Sequence, residues 1–257
     1  MRVATWNVNS LSARMPRVES WLAEVEPDIV CMQETKLADS AFPAMAFHQL
    51  GYESVHHGQG RWNGVAILSR VGLDAPAVGF SPDDVILRDE ARIVSATAGG
   101  ARVASIYVPN GRSPDHEQFK FKLAWLTALR RHLECVCDPG ADVLVCGDFN
   151  IAPQDRDVWD PKVFENSTHV TPEEREALAE LLDWGLVDVF RGHYDDGGLF
   201  SWWDYRAGNF HKKQGMRIDL MLATRSLADR SRWALIDRNA RKGKLPSDHA
   251  PLVVEFE

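Results

Sequence analysis

The segment 143–150 joins an apolar run, Val-Leu-Val-Cys, to a Gly-Asp-Phe-Asn turn that presents an acid and an amide. Side chains alternate faces along an extended chain, so Asp148 and Asn150, two positions apart, point to the same side. Gly, Asp and Asn also favour turns for backbone reasons alone. Taken by itself, the segment therefore fits a functional pair and a simple strand-ending turn equally well.

Other apolar runs end in the same way, and this favours the functional interpretation. Runs at 3–6, 29–33, 103–106 and 216–218 each lead into a polar residue, and two polar residues precede the last run at 251–256: Asn7, Glu34, Tyr107, Asp219, Asp248 and His249. Polar groups at strand ends are where an open sheet usually gathers a site. The sequence therefore predicts that these side chains meet.

A set of carboxylates and amides with one histidine suits a hard divalent cation better than zinc. Magnesium takes oxygen ligands and is usually held by one or two carboxylates together with substrate phosphate. The 4 cysteines include one close pair, Cys135 and Cys137, without a second pair or a histidine at zinc-finger spacing. We interpret the cysteines as reduced and mostly buried, and the acidic set as a magnesium site.

The elements that would position this site alternate between strands and helices. Strands are predicted at 64–69, 92–98, 102–108 and 143–146, and helices at 17–23, 117–133 and, opened by a Thr-Pro-Glu-Glu capping box, 171–182. No low-complexity linker interrupts the chain, so we expect one domain over 1–257. The pattern indicates an α/β fold, and two halves whose first strands lead to Asn7 and Asn150 suggest a duplicated layout.

Six short blocks, in order, resemble the signatures of the exonuclease III family of apurinic/apyrimidinic (AP) endonucleases, within the endonuclease/exonuclease/phosphatase superfamily. They are Thr-Trp-Asn-Val-Asn (5–9), Gln-Glu-Thr-Lys (33–36), Tyr-Val-Pro-Asn-Gly (107–111), Gly-Asp-Phe-Asn (147–150), Arg-Ile-Asp (217–219) and Ser-Asp-His-Ala-Pro (247–251). Because the blocks run from near the first residue to near the last, the resemblance covers the whole chain. It implies a four-layer α/β sandwich, with two central mixed β-sheets packed face to face and helices outside.

The resemblance also implies an activity, which is magnesium-dependent hydrolysis of DNA phosphodiesters, with manganese as an alternative metal. The expected substrates are double-stranded DNA with abasic sites, cut 5′ to the lesion, and 3′ ends, degraded or cleaned from 3′ to 5′. The metal is expected on a set of oxygen and nitrogen ligands: Asn7, Glu34, Asp148, Asn150, Asp248 and His249. Within that set Glu34 is the principal ligand, with Asn7 next to it, and Asp248 holds any second metal.

The resemblance assigns catalytic roles to a partly overlapping set of residues. Asp148 would orient or deprotonate the attacking water, while Asn150 and Tyr107 would donate to the phosphoryl oxygens. His249, oriented by Asp219, would contact the phosphate. Chemistry alone leaves plainer alternatives open, since Asn7 fits a strand-end amide, Tyr107 a half-buried aromatic and Asp219 a surface acid paired with Arg217.

Charge is distributed unevenly along the chain, and this bears on DNA binding. The formal net charge is -8, but residues 206–249 carry eleven Lys and Arg against four Asp, which leaves -15 elsewhere. A basic run is often only a solvated face, but this one flanks two residues of the acidic set, which favours phosphate contacts. The candidate contacts are Lys212, Lys213, Arg241, Lys242 and Lys244.

Two further groups of residues are candidates for contact with the damaged nucleotide. Trp202, with Met216 and Ile218, matches the family block that lines the pocket for a flipped baseless sugar, which costs little to extrude. Asn110 and Arg112, after Tyr107, are candidates for a side chain wedged into the duplex. The plainer alternative is that most of the 9 tryptophans pack the core, and we expect that for Trp21, Trp125 and Trp184.

Other functions within reach of the same residues are hydrolysis of lipid or inositol phosphates and DNA binding without catalysis. The basic segment and the Trp202 block argue against the first, and the presence of Glu34, Asp148 and His249 argues against the second. With no signal peptide, no disulfide framework and no membrane-length apolar run, we expect a cytoplasmic protein without a membrane or an obligate protein partner, by default a monomer. The balance between endonuclease and exonuclease action stays open.

Overall fold

The computed structural model describes residues 1–80 and 90–257, and this part of the chain forms two six-stranded mixed sheets. The first sheet has the order β11-β12-β1-β2-β4-β3 and the second β5-β6-β7-β8-β10-β9. The strands are β1 (Arg2–Asn7), β2 (Ile29–Gln33), β3 (Glu53–His57), β4 (Val65–Ser69), β5 (Asp74–Val78), β6 (Ile93–Ala98), β7 (Ala101–Tyr107), β8 (Val143–Asp148), β9 (Leu186–Asp188), β10 (Asp219–Thr224), β11 (Ser231–Ile236) and β12 (Leu252–Phe256).

The two sheets repeat one pairing pattern. Each contains a single parallel pair, β1 with β2 and β7 with β8, flanked on both sides by antiparallel neighbours. Read from β11 in the first sheet and from β9 in the second, the sequence of parallel and antiparallel pairings is the same. This repetition is consistent with the duplicated layout that the sequence allows.

The central strands are buried on both faces, and alternate side chains enter different cores. In β2, Ile29 and Cys31 pack between the sheets against residues such as Leu144 of β8, while Val30 and Met32 face outward. The outer face of the first sheet contacts helix α1 (Leu11–Val25) and α2 (Ala44–Gln49), and that of the second contacts α3 (Glu117–Val136) and α4 (Pro172–Asp183). This arrangement is the predicted four-layer sandwich.

The described part also contains three shorter α-helices, α5 (Val189–His193), α6 (Asn209–Lys212) and α7 (Arg225–Ala228), and several single-turn 3-10 helices. The capping box at the start of α4 is present, because Thr171 and Glu174 exchange side-chain to backbone hydrogen bonds. The first helix begins at Leu11, six residues before the predicted start, and contains Pro16. Proline is unfavourable inside a helix because it lacks the N–H group, so the sequence placed the start after it.

The cysteines follow their prediction in part, and the three expected core tryptophans follow it fully. All four cysteines are free, but only Cys31 and Cys146 are buried, while Cys135 is exposed. Trp21, Trp125 and Trp184 are buried, as expected for core residues. Within the described ranges, no helix combines the length and the apolar character needed to cross a membrane.

Candidate active site

The predicted polar residues meet at one edge of the sandwich, where the carboxyl ends of both parallel strand pairs lie. Asn7 ends β1 and Glu34 directly follows β2. Tyr107 ends β7 and is in register with Asp148 at the end of β8. Asp219 begins β10, which runs antiparallel to β8, so that it also pairs in register with Asp148. The structure thus brings residues from both sheets to a single site.

Unusual backbone conformations aim two of these side chains. Glu34 and Asn150 both have a φ of 51°, in the left-handed region that non-glycine residues rarely occupy. Gly147 precedes Asp148 at a point where β8 lies very close to β7, since a Cβ there would be 1.9 Å from the carbonyl oxygen of Ile106. The glycine in the Gly-Asp-Phe-Asn block is therefore required by this close approach.

Two carboxylates converge on the amide of Asn7. Its Nδ2 donates to Oε1 of Glu34 and to Oδ2 of Asp148, both at 2.9 Å, while its Oδ1 accepts from the backbone N–H of Asn9 at 3.0 Å. Asn7 thus presents its NH2 group, not its oxygen, to the two acids. One ligand atom each from Glu34, Asp148 and His249 lie within 4.8 Å of one another. This donor set, with two hard carboxylate oxygens, fits a divalent cation.

His249 lies between two acids, and their charges set its protonation state. Its Nδ1 is 2.8 Å from Oδ2 of Asp219, and its Nε2 is 3.8 Å from Oδ2 of Asp148. Burial alone would lower the pKa of His249, but Asp219 and then Asp148 outweigh it and raise the pKa to about 10. In the protein without metal, the imidazole is therefore a cation at neutral pH. Asp219 pairs with this imidazole and not with Arg217, which instead pairs with Asp157 and Asp188.

The acids in this cluster also affect one another. Burial raises the pKa of Asp148 to about 7; His249 opposes this shift, while Asp219 and Glu34 add to it. The pKa of Tyr107 is raised well above its usual value, first by burial and then by the negative charges of Glu34 and Asp148. Tyr107 therefore keeps its hydroxyl proton and remains able to donate a hydrogen bond.

Two residues that the sequence analysis did not assign connect the edges of the site. Lys36 lies 2.9 Å from Oε2 of Glu34 and donates to Oδ1 of Asn9 at 2.6 Å, and Asn9 in turn donates to Oδ1 of Asp248 at 2.9 Å. Asn9 lies two positions beyond Asn7, the same spacing that singled out Asp148 and Asn150. That spacing, and the places of Asn9 and Lys36 in the signature blocks 5–9 and 33–36, were the signals available in the sequence.

The environment of Asp248 differs from the prediction of a second metal ligand. Both of its oxygens already accept hydrogen bonds, one from Asn9 and the other, at 3.1 Å, from Nε1 of Trp202. Among the described residues, the acidic and histidine group that could hold a metal comprises Glu34, Asp148 and His249 and leaves Asp248 out. Asp248 instead anchors the Trp202 side chain. Trp202 lies beside His249, with which it forms an isolated β-bridge.

The apolar candidates lie together next to the polar cluster. Met216 and Ile218 are buried, and Trp202 packs over them as a partly buried ring together with Val158 and Ala152. Trp202 also forms backbone bridges to both Met216 and His249. The sequence thus identified residues that share one wall beside His249, and their contact with a sugar remains a prediction.

The predicted DNA contacts divide into exposed and buried residues. The exposed ones are Asn110, Arg112, Lys212, Lys213, Lys242 and Lys244. Arg241 corrects the prediction, because it is buried, its Nη1 donates to the carbonyl oxygens of Trp203 (3.1 Å) and Asp248 (2.6 Å), and its guanidinium lies 4.7 Å from the ring centre of Phe210. The Arg241 guanidinium therefore connects the backbone at Trp203 with the backbone at Asp248 and is not available to a phosphate.

Comparison with known proteins agrees with this geometry. Residues 4–249 match the Endonuclease/Exonuclease/phosphatase family. The chain is 34% identical to exodeoxyribonuclease III of Haemophilus influenzae, with 100% of both chains covered, and 32% identical to an exodeoxyribonuclease of Bacillus subtilis, with 98% of each covered.

Two solved structures are similar along the whole chain. An AP endonuclease from Archaeoglobus fulgidus superposes with a TM-score of 0.96 at 37% identity, covering 100% of this chain and 99% of that one. A 3′ phosphatase from Neisseria, bound to a product DNA hairpin, superposes with a TM-score of 0.94 at 38% identity, with the same coverage. The chain therefore belongs to the endonuclease/exonuclease/phosphatase family, as a member of its exodeoxyribonuclease III branch.

Proposed function

We propose that this protein is a metal-dependent DNA repair nuclease that hydrolyses phosphate esters at abasic sites and at 3′ ends of double-stranded DNA. The observation that carries the proposal is the convergence of Glu34, Asp148 and His249 at one sheet edge. Three carboxylates, including Asp219, lie there with one imidazole and the Lys36 ammonium, so the cluster has an excess of negative charge. A divalent cation would offset that excess and would also attract a phosphate.

Glu34 and Asp148 are the residues that would hold the cation, with Asn7 beside them. Magnesium is the proposed metal, because hard oxygen ligands dominate the set, and manganese is the alternative. When bound, the cation would neutralise charge that develops on the phosphate and on the leaving oxygen. Asp248 and Asn150 are not needed for this role.

The remaining groups would act on the water and on the phosphate directly. Asp148 would accept a proton from the attacking water, since a carboxylate within hydrogen-bond reach is a competent base. Nε2 of His249, held in place by Asp219, would donate to a phosphoryl oxygen. The Tyr107 hydroxyl and the Asn150 amide would add two further donors, which stabilise the charge of the transition state.

The duplex would lie across the site with its backbone on exposed basic residues. Lys212, Lys213, Lys242 and Lys244 supply contacts that position DNA without reading sequence. Trp202, over Met216 and Ile218, would face the damaged nucleotide, and Asn110 and Arg112 would approach the duplex from the other side. We propose that the protein acts as a single-domain monomer, because the two sheets share one core and the site draws on both.

Both substrate classes are proposed because the relatives carry both names. The AP endonuclease and the 3′ phosphatase are 37% and 38% identical to this chain, so sequence distance does not favour either. The balance between the two activities is the first property to measure.

The test compares three duplexes, one with an internal tetrahydrofuran abasic analogue, one with a 3′-phosphate at a nick and one undamaged. Each is incubated with magnesium, manganese or chelator, using wild type, Glu34→Gln, Asp148→Asn and, as a control, the exposed acid change Asp229→Asn. We expect metal-dependent product with at least one damaged duplex, lost in both site variants and kept in the control. Intact DNA in every reaction, with release of phosphate from an inositol polyphosphate, would replace this proposal by the phosphatase alternative.

A further inference from the structure

A fully buried ion pair lies behind the site, between the two helices that cover the second sheet. Lys122 of α3 contacts Oε1 of Glu174 of α4, and both side chains have 0% exposure. Burial lowers the pKa of Lys122, and Glu174 partly opposes that shift. Taking two charges out of water costs several kcal/mol per ion before their attraction is counted, and an apolar pair of similar size is often at least as stable.

Adhesion between the helices does not require this pair. Leu126 and Leu129 of α3 share an apolar cluster with Leu178 and Leu181 of α4, and that cluster extends to the sheet beneath them. The ion pair lies near the N-terminal ends of both helices, next to three loops. Oε2 of Glu174 accepts from Thr171 in the capping box of α4, and the other hydrogen bonds of the pair go to those loops. Its position therefore points to a role in the loops.

The pair connects the loops of Asn110, Asn150 and His169. Nζ of Lys122 donates to the carbonyl oxygens of Asn150 at 2.6 Å and of Asn110 at 3.3 Å. Oε1 of Glu174 accepts the backbone N–H of His169 at 2.9 Å. Nδ1 of His169 then donates to the same Asn150 carbonyl at 2.7 Å. One carbonyl oxygen thus receives two donors that both depend on the ion pair.

Asn150 has particular need of such support. Its φ of 51° is unfavourable for a residue with a side chain. Among the described residues, two hydrogen bonds hold its side chain: Nδ2 donates to the Val108 carbonyl at 2.9 Å, and Oδ1 accepts from Asn110 at 3.2 Å. The backbone contacts from Lys122 and His169 fix the peptide from which this amide projects.

We propose that the Lys122–Glu174 ion pair is a positioning element, which holds the peptide of Asn150 so that its amide faces the reacting phosphate. The inference rests on the proposed function, because it assigns Asn150 to the phosphate. Neither Lys122 nor Glu174 contacts substrate, and both act through Asn150. The geometry explains why a costly buried pair is kept where leucines would suffice for packing.

A double-mutant cycle tests the route through Asn150. Lys122→Met, Asn150→Ala and the combination are compared by kcat and KM on whichever damaged duplex the wild type cleaves. We expect Lys122→Met to lower kcat about 100-fold with KM little changed, because a misplacement of about 1 Å at the reacting centre has that effect. In the Asn150→Ala background the same change should have no further effect on kcat.

A matched control lies on the same helix. Arg130 of α3 also connects to α4, through Nε donating to the carbonyl of Glu180 at 2.9 Å, but it is far along the helix from the three loops. Arg130→Met should therefore leave kcat unchanged. Multiplicative losses in the cycle, or an equal loss in Arg130→Met, would overturn the proposal in favour of a general effect of helix packing.

Removal of one charge alone leaves the other charge buried and unpaired. This lowers the free energy of unfolding strongly and can prevent folding. The variant Lys122→Met/Glu174→Leu removes both charges and should melt at a higher temperature than Lys122→Met, although below the wild type because the Glu174 capping box is also lost. We expect its kcat to stay about 100-fold low, since the Asn150 carbonyl still lacks its donor. Recovery of kcat together with stability would overturn the proposal.

A readout without DNA separates this inference from the proposed function. The side-chain amide signals of Asn150, identified by Asn150→Asp, are followed by NMR in the wild type and in Lys122→Met/Glu174→Leu. We expect two signals with shifts away from those of free asparagine and slow exchange with water in the wild type, and shifts close to free asparagine with faster exchange in the variant. Unchanged signals would overturn the positioning role even if DNA is cleaved, whereas a wild type inactive on DNA would overturn only the proposed function.

Discussion

Replacement of Asp219 by asparagine removes the negative charge closest to His249. The two side chains approach to 2.8 Å in a buried site. At an effective dielectric constant of about 20, unit charges at that separation attract by about 6 kcal/mol, which corresponds to roughly four pKa units. We therefore expect the pKa of His249 to fall from about 10 to its ordinary value of 6.5 or below, since burial is then opposed chiefly by Asp148.

The direction of the pH effect follows from this raised pKa. In the wild type without metal, the Asp219 pair stabilises the folded protein fully below about pH 6.5, and that contribution is lost as pH rises through about 10. In Asp219→Asn the imidazole is neutral at pH 8, so Nε2 no longer offers a positively charged donor to the phosphate. We expect kcat to fall about 10²–10³-fold at pH 8, the usual loss for one transition-state donor, and much less at pH 5.5.

The assay is an NMR titration of the imidazole Cε1 protons in chelated protein from pH 5 to 10.5, with His249→Gln to identify the signal. A matched control is Asp39→Asn, because Asp39 also lies 2.8 Å from Nδ1 of a histidine, His56, but its own side chain is 61% exposed. Solvent screening should make the control shift much smaller. A wild-type His249 that titrates near 6.5, or equal kcat losses at both pH values, would refute the reasoning.

Three further changes test the metal and the framework of the site. Magnesium at 100 times its dissociation constant should raise the melting temperature of chelated protein by roughly 5–10 °C, and Glu34→Gln should remove most of that shift in calorimetry. Gly147→Ala should cost about 3 kcal/mol in urea unfolding, because its Cβ would meet the carbonyl oxygen of Ile106; a loss under 1 kcal/mol would contradict the close approach. Arg217→Met leaves two carboxylates without their buried cation and should cost about 3–5 kcal/mol, whereas Arg225→Met, at an exposed pair, should cost under about 1 kcal/mol; similar values would contradict the assigned burial.

The positions of the acidic residues were predictable because they end apolar runs. Strand ends are marked locally, by a change from apolar to polar residues and by Gly, Asp or Asn, so Asp148 and Glu34 could be found from the sequence. Asp219 was found by the same rule although it begins β10 and the apolar run before it, 216–218, is not a strand. Strand order is not marked locally, and the two-sheet sandwich came only from the resemblance. The start of α1 was placed wrongly because the local effect of Pro16 is unfavourable, while packing of Leu11 and Val18 against the first sheet overrides it.

The residues that sequence analysis misjudged owe their roles to contacts across long sequence distances. Lys122 looks like one charge among others on an amphipathic helix, yet its partner Glu174 is 52 positions away. Arg241 belongs to a basic run that suggests a solvated face, but the ring of Phe210 and the carbonyls of a neighbouring loop bury it. A run of charged residues in the sequence shows only that the segment is basic. The tertiary structure decides which of its side chains reach solvent.

The site is divided between two sheets, so its geometry depends on how the sheets are placed relative to one another. Apolar packing is not directional and would tolerate small sliding movements between the faces. Buried hydrogen bonds are directional, and one set joins the sheets directly beneath the site: Nε2 of Gln33 in β2 donates to Oγ of Ser105 in β7 at 3.1 Å, and that hydroxyl donates to the carbonyl of Met32 at 3.1 Å. Gln33 immediately precedes Glu34, and Ser105 lies two residues before Tyr107. This cross-sheet link fixes the carboxylate from one sheet against the hydroxyl from the other, which apolar contacts alone would leave free to slide.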